Sequence, residues 1–361
     1  MRQPDSAQQV GIGGHRRLCP RCANINHVRR SFPTCGLILL FLATASLCQN
    51  ADGLYVVELG GKYGYINQHS KIVVPTKFDY ADEFTDGLAA AWTGGPNNSK
   101  AGFINESGEF QIPPVYEEAR PFNGGVAAVK SVDRWGFIDT TGDFIVRPSF
   151  EQVHDFNEGL GAFKAAGKWG YMSSAGEEAV SARYDYTWGF SEGLAFAYLD
   201  GKCGFIDRTG GAVIPFNFDE CSSFVEGLAP VRIGKRWGYI DNSGKFEIRP
   251  QFEDAVSFSE GMAAVEREEK WGYLDSQYHR FAIEPKFAMT KVLPYISFSE
   301  GKACVQQGSR WGFIDQTGKF VIPPKFIRWS TFHYGLAKVC ERPDHCGYID
   351  EKGVYVWLDQ R

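Results

Sequence analysis

The sequence is short of the features that most enzymes and nucleic-acid or membrane proteins carry. Its longest apolar run, Gly36 to Leu47, is about twelve residues, well below the roughly 20 that cross a bilayer as a helix. Its seven histidines include no pair at metal-ligand spacing with a second ligand set, so no metal or other cofactor is expected. No glycine-rich phosphate loop follows a strand. Four methionines among 361 residues, against 41 glycines, 28 phenylalanines, 16 tyrosines and nine tryptophans, argue against packed helices. They favour many short strands joined by tight turns.

Positive charge is scarce where it would matter. Residues 1 to 45 hold six arginines and one acid, Asp5; without them, 38 basic and 43 acidic side chains become 32 and 42. A body ten charges negative has no general attraction for phosphate backbones, so no nucleic-acid partner is expected.

The apolar run follows Arg29 and Arg30 and ends in Ala43-Thr44-Ala45. Basic flank, short apolar core and small-x-small site are the layout of a signal peptide. Residues 1–45 are read as a leader cleaved near Ala45, with 46–52 as a short linker and no transmembrane span after cleavage. Export to the periplasm, cell surface or medium follows. Residues 1–27 are long for such a leader, and one hypothesis starts translation near Val28. Lipid attachment at Cys48 ranks below simple cleavage, because Leu47 stands where a lipoprotein signal wants a small residue. Cys19 and Cys22, with His15 and His27 nearby, are half a zinc site without a second pair.

From residue 53 to 361 the chain repeats. Gly64, Gly102, Gly136, Gly170, Gly204, Gly238, Gly272, Gly312 and Gly347 recur at spacings of 38, 34, 34, 34, 34, 34, 40 and 35. Each module offers a first strand such as Gly261 to Glu268, a second such as Lys270 to Asp275, and a third such as Lys245 to Pro250. The turn between second and third, as in Asp139-Thr-Thr-Gly142 or Asp241-Asn-Ser-Gly244, reads as a type I turn with a bulge. Proline then ends the third strand, and a connector with two aromatics, such as Phe252 and Phe258, leads to the next module. Its conformation is open.

A 34-residue unit cannot enclose a core alone, so neighbours must cover its faces. The expected fold is all-β: nine tandem three-stranded β-meander modules stacked as an open, curved β-solenoid, with a closed β-propeller as the alternative. The open form is preferred because the array starts on a first strand and ends on a third, leaving no strand to complete a split module.

The segments Arg134-Trp-Gly-Phe-Ile-Asp139, Lys168-Trp-Gly-Tyr-Met-Ser173, Arg236-Trp-Gly-Tyr-Ile-Asp241, Lys270-Trp-Gly-Tyr-Leu-Asp275 and Arg310-Trp-Gly-Phe-Ile-Asp315 resemble the bacterial WG repeat. Tyr63, Ala101, Cys203 and Cys346 replace the tryptophan elsewhere. The resemblance implies a β-rich repeat protein, often exported, with no established shared catalytic activity; no functional residue carries over.

Departures from the repeat are places to look for function: the loop Thr93 to Ser99, the connector Ala288 to Ile296 and the added indoles Trp188 and Trp329. So is a row that keeps the repeat register. Arg134/Trp135, Lys168/Trp169, Arg236/Trp237, Lys270/Trp271 and Arg310/Trp311 form a candidate binding stripe for an acidic polymer or anionic glycan, reinforced by cation–π contact. The plain reading is a solubilising edge. An acidic row, Asp86, Glu158, Glu192, Glu226, Glu260 and Glu300, offers the stripe partners within the array, which would blunt it. Paired connector acids, Glu117-Glu118, Asp219-Glu220 and Glu253-Asp254, could form a glycosidase centre on the rim, but sit in register as solvated residues. Cleavage after Ala45 leaves six cysteines in an oxidising compartment, and Cys340 and Cys346 are expected to bond across one short loop. The leading function is an exported, non-catalytic scaffold that binds a protein or glycan of the cell envelope; the rival is a carbohydrate-active enzyme.

Overall fold

The computed structural model describes residues 53–95, 98–288 and 296–359. The leader, the Cys19/Cys22 pair and Cys48 lie outside these residues. Nine antiparallel sheets follow one another along the chain, seven with four strands and two with three among the described residues. Blade 3 is typical: Glu118–Ala119, Val126–Ser131, Arg134–Asp139 and Phe144–Phe150, in that order across the sheet. The expected three-stranded module is therefore corrected. A two-residue stretch of the connector adds a fourth strand, pairing Glu118 with Lys130 and Ala119 with Val129.

The second strand's glycine and the third strand's proline explain each other. The third strand does not end at proline; it runs on to the aromatic, as from Phe144 through Pro148 to Phe150. Its register slips between Trp135 and Phe137, a bulge at an edge strand where a missing N–H costs little. The bulge pushes backbone against Gly136, where a Cβ would lie 2.6 Å from the Val146 carbonyl oxygen. Glycine is the residue that admits this approach.

The open solenoid is contradicted: the nine sheets close into a nine-bladed propeller. Second strands are buried at consecutive positions, as at Trp135, Gly136, Phe137 and Ile138, a pattern that needs cover on both faces of the sheet. An open array would bare one face at each end, yet Val57 and Ile66 of blade 1 and Ile349 of blade 9 are 0% exposed. Tyr55, Val57, Ile66, Leu336 and Tyr348 form one core cluster across the junction, and the Tyr55 and Tyr348 rings meet edge-on at 5.4 Å.

Closure needs no exchanged strand because blades meet face to face, and blade 9 packs on blade 1 although no connector strand crosses there among the described residues. Along the ring, the turn after each second strand packs on the preceding third strand, as Gly142 does on Ile112 and Gly353 on Ile322. At the junction Ser70 fills that turn position and its hydroxyl donates to the Val356 carbonyl at 2.5 Å. An array that starts on a first strand and ends on a third still closes, because side-chain burial rather than strand swapping joins its ends.

Connector strands form the inner edges of the blades, where side chains one blade apart bond: Arg120 to Asp155 at 3.4 Å and Ser222 to Ser257 at 3.3 Å. Third strands form the outer rim and carry exposed Val73, Val115, Val213 and Val321.

Candidate functional site

At several points the basic stripe is tied to the connector that leads into the following blade. Lys62 pairs with Asp79 at 2.5 Å, Lys168 with Asp185 at 2.5 Å, Lys202 with Asp219 at 2.6 Å and Arg236 with Glu253 at 2.9 Å. The same carboxylates receive backbone N–H bonds from the loop after the first strand, Gly95 to Asp79, Gly234 to Asp219 and Glu269 to Glu253. Lys62 first holds Asp79 below its ordinary carboxylate range, Lys202 does so for Asp219, and the Glu269 N–H does so for Glu253. Arg310 instead donates to the carbonyls of Glu341 and Lys325. Arg134 and Lys270 are exposed, with no ion pair among the described residues. Trp135, Trp169, Trp271 and Trp311 are buried and Trp237 is half-buried. The indoles thus pack the blades, and the cation over Trp135 is the connector's Arg120, 5.3 Å from the ring.

The acidic row does not pair with the stripe. Each acid is the first residue of a two-residue hairpin turn, with φ between 50° and 56° from Asp86 to Glu300, and glycine follows in the same left-handed region. Its carboxylate reaches the next blade's turn. Glu158 accepts from the Glu192 and Gly193 N–H groups at 2.7 and 3.1 Å, and Glu260 from Glu300 and Gly301 at 2.6 and 2.8 Å. Asp86, Glu192, Glu226 and Glu300 each bond the following turn glycine. The row is a blade-to-blade clasp. It lapses at Gly124, which has no carboxylate, and at Tyr334, whose carbonyl instead accepts the Tyr55 hydroxyl at 2.5 Å across the junction.

The connector acids are likewise in use. Glu117 accepts from Val132 and Asp133 N–H, Glu118 pairs with Lys130 and Glu220 with Arg232. The Asp133 N–H bond chiefly holds Glu117 below its ordinary range. A general acid needs the opposite shift.

Two disulfides are formed, Cys340–Cys346 with Cα atoms 4.0 Å apart and Cys203–Cys221 with Cα atoms 6.1 Å apart. Cys304 is a buried thiol whose pKa burial pushes up.

Real departure from the repeat lies two residues before the second connector aromatic. This position is Asp82, Arg120, His154 and Trp188 in blades 2 to 5, but Ser222, Val256, Ile296 and Ser330 in blades 6 to 9. The first four form an arc with Glu83 and Asp155. His154 lies parallel to Trp169 at 4.4 Å and against Trp188 at 4.4 Å. Burial, then the charge of Arg120, pushes its pKa down to about 3, so the imidazole is neutral. Burial also pushes Asp82 up to about 6, aided by Glu83 and Asp155 and opposed by a hydrogen bond with Tyr80. The arc therefore has three carboxylates, one guanidinium and an indole on one side of the ring. His154 reads as one of seven scattered histidines until the connectors are aligned on Phe84, Phe122, Phe156 and Phe190; that column was the signal.

The WG containing repeat matches residues 63–91, 102–131, 135–169, 169–203, 204–237, 237–271 and 311–342. The chain belongs to this WG repeat family. The WG array is similar to a solved structure described as the eukaryotic initiation factor, at 11% identity and a TM-score of 0.59, covering 86% of this chain and 96% of that one; that likeness shows the propeller fold. Weaker likenesses are to BamB from Moraxella catarrhalis, at 9% identity and TM-score 0.42 over 83% and 92% of the two chains, and to Kluyveromyces lactis Hsv2, at 8% identity and TM-score 0.43 over 66% and 94%. No curated protein matches the chain. Among the described residues, no helix is long and apolar enough to cross a membrane and no group of His, Cys, Asp and Glu is placed to hold a metal ion.

Proposed function

We propose that this WG propeller is an exported, non-catalytic scaffold that holds a protein partner in the cell envelope against the arc of blades 2 to 5. The observation that carries the reading is the convergence of Asp82, Arg120, His154, Asp155 and Trp188, which four successive blades bring together outside the repeat's own grammar. Three carboxylates against one guanidinium suit a basic loop of a partner, and the Trp188 face suits its aliphatic or cationic side chain. Two disulfides support an oxidising compartment. The test is capture from envelope extracts by the wild type and by the double variant Asp155→Asn/Trp188→Ala. Loss of a specifically captured protein with the variant supports the reading; equal capture, or capture of glycan alone, counts against it.

One observation favours a second reading. Asp82, pushed up to about 6, is off the repeat register and feels the charges of Glu83 and Asp155, as a glycosidase acid feels its partner carboxylate. Hydrolysis of envelope glycan by the wild type and not by Asp82→Asn would move the protein to the enzymes.

A further inference from the structure

The ring junction holds a second feature, independent of the arc. Connectors carry the chain across the other eight junctions; blades 9 and 1 are the two ends of the array. Here a cavity of about 310 Å³ opens between them, at the small end of the range for ligand sites. One wall is apolar: Trp329, Val339 and the Cys340–Cys346 disulfide. Trp329 is held rigid by stacking on Trp311 at 3.6 Å. Arg328, Lys338, Glu58 and Asp359 complete the lining.

These polar groups are incompletely used. Asp359 Oδ2 lies 3.5 Å from Lys338 Nζ, with the aspartate side chain only 12% exposed. The Trp329 Nε1 is buried without a hydrogen-bond partner among the described residues, whereas the Trp357 indole and Lys338 are both directed at the Asp359 carboxylate. Native proteins leave few buried polar atoms bare, and those left commonly meet water or ligand. Two cations and two anions make the lining neutral. An ionic ligand would gain one pair and oppose the other, whereas hydroxyls can accept from Arg328 and Lys338 and donate to Glu58 and Asp359.

We propose that this cavity binds one ring of a neutral, polyhydroxylated ligand, a pyranose at the end of a glycan, with its apolar face on Trp329 and its hydroxyls on the four charged side chains.

The test uses the full chain and the methyl glycosides of glucose, galactose, mannose and N-acetylglucosamine as probes, read by saturation-transfer NMR and tryptophan fluorescence. At least one glycoside is expected to bind saturably. Trp329→Ala should weaken it about tenfold or more; Asp359→Asn, nearly isosteric and so expected to fold, should weaken it several-fold. Tyr278→Ala, an exposed aromatic on the blade 7 hairpin, should leave binding unchanged. Failure of all four glycosides, or affinity retained in both Trp329→Ala and Asp359→Asn, would overturn the proposal. Neither result bears on the arc, which Asp155→Asn/Trp188→Ala addresses separately.

Discussion

The Tyr348 hydroxyl crosses the ring junction to donate to the Val56 carbonyl at 2.9 Å. In other blades the equivalent carbonyl is taken by a connector N–H, as Ala90 by Asp82 at 2.9 Å and Ala264 by Val256 at 3.1 Å. The equivalent tyrosine hydroxyls, Tyr65, Tyr239 and Tyr273, bond connector carbonyls instead. One side chain thus stands in for a strand. Tyr348→Phe leaves the half-buried Val56 carbonyl without its partner across the junction and should cost about 1 kcal/mol. Equilibrium urea unfolding checks this, and an unchanged midpoint would mean the junction does not depend on that bond.

The clasp row offers a gain rather than a loss. Gly124 sits at φ 64° where Asp86 and the glutamates of the row sit at 50–56°, so the backbone already has the conformation that an acid tolerates there. Gly124→Glu would supply the missing carboxylate to the Gly159 turn. It should stabilise the ring by up to about 1 kcal/mol, set against the left-handed cost to a side chain. The gain should shrink in high salt. A thermal scan showing a lower melting temperature at low salt would disprove the clasp's worth.

Much of the fold is legible in the sequence. The Asp-x-x-Gly turn is one such element: Asp139 Oδ1 accepts from Thr141 and Asp143 N–H at 2.9 and 3.1 Å, and Gly142 has φ 91°. Local chemistry of that kind is written in adjacent residues. Closure is not, because Tyr55, Tyr334 and Tyr348 meet across some 280–290 residues and each resembles an ordinary repeat position. The clasp is hidden for the same reason: Glu158 and Gly193 are one period apart in sequence, and only the packing of blades shows that they touch.

The disulfides can be counted chemically. Maleimide labelling of the native protein should leave Cys304 unreacted, since it is buried and its thiolate disfavoured. Denaturation without reductant should then expose Cys304 alone among Cys203, Cys221, Cys304, Cys340 and Cys346, as read by peptide mass spectrometry. Labelling of both Cys340 and Cys346 would refute their bond.

Asp82 makes the arc sensitive to acid, and the sign is fixed by its raised pKa. The unfolded carboxyl titrates near 3.8 and the folded one near 6, so the folded state binds the proton more tightly. Its contribution favours folding below about pH 4 and is lost as pH rises to about 6, leaving a penalty on the order of 3 kcal/mol above that. Asp82→Asn should therefore raise stability at pH 7 and match the wild type at pH 4. Folded His154 stays neutral while the unfolded imidazole protonates below about 6.5, so it makes stability rise with pH in wild type and variant alike and cancels in their difference. Urea midpoints at both pH values separate the outcomes: an equal difference at pH 4 and pH 7 would show that the Asp82 carboxyl titrates as an ordinary surface acid, and the arc would lose its buried charge.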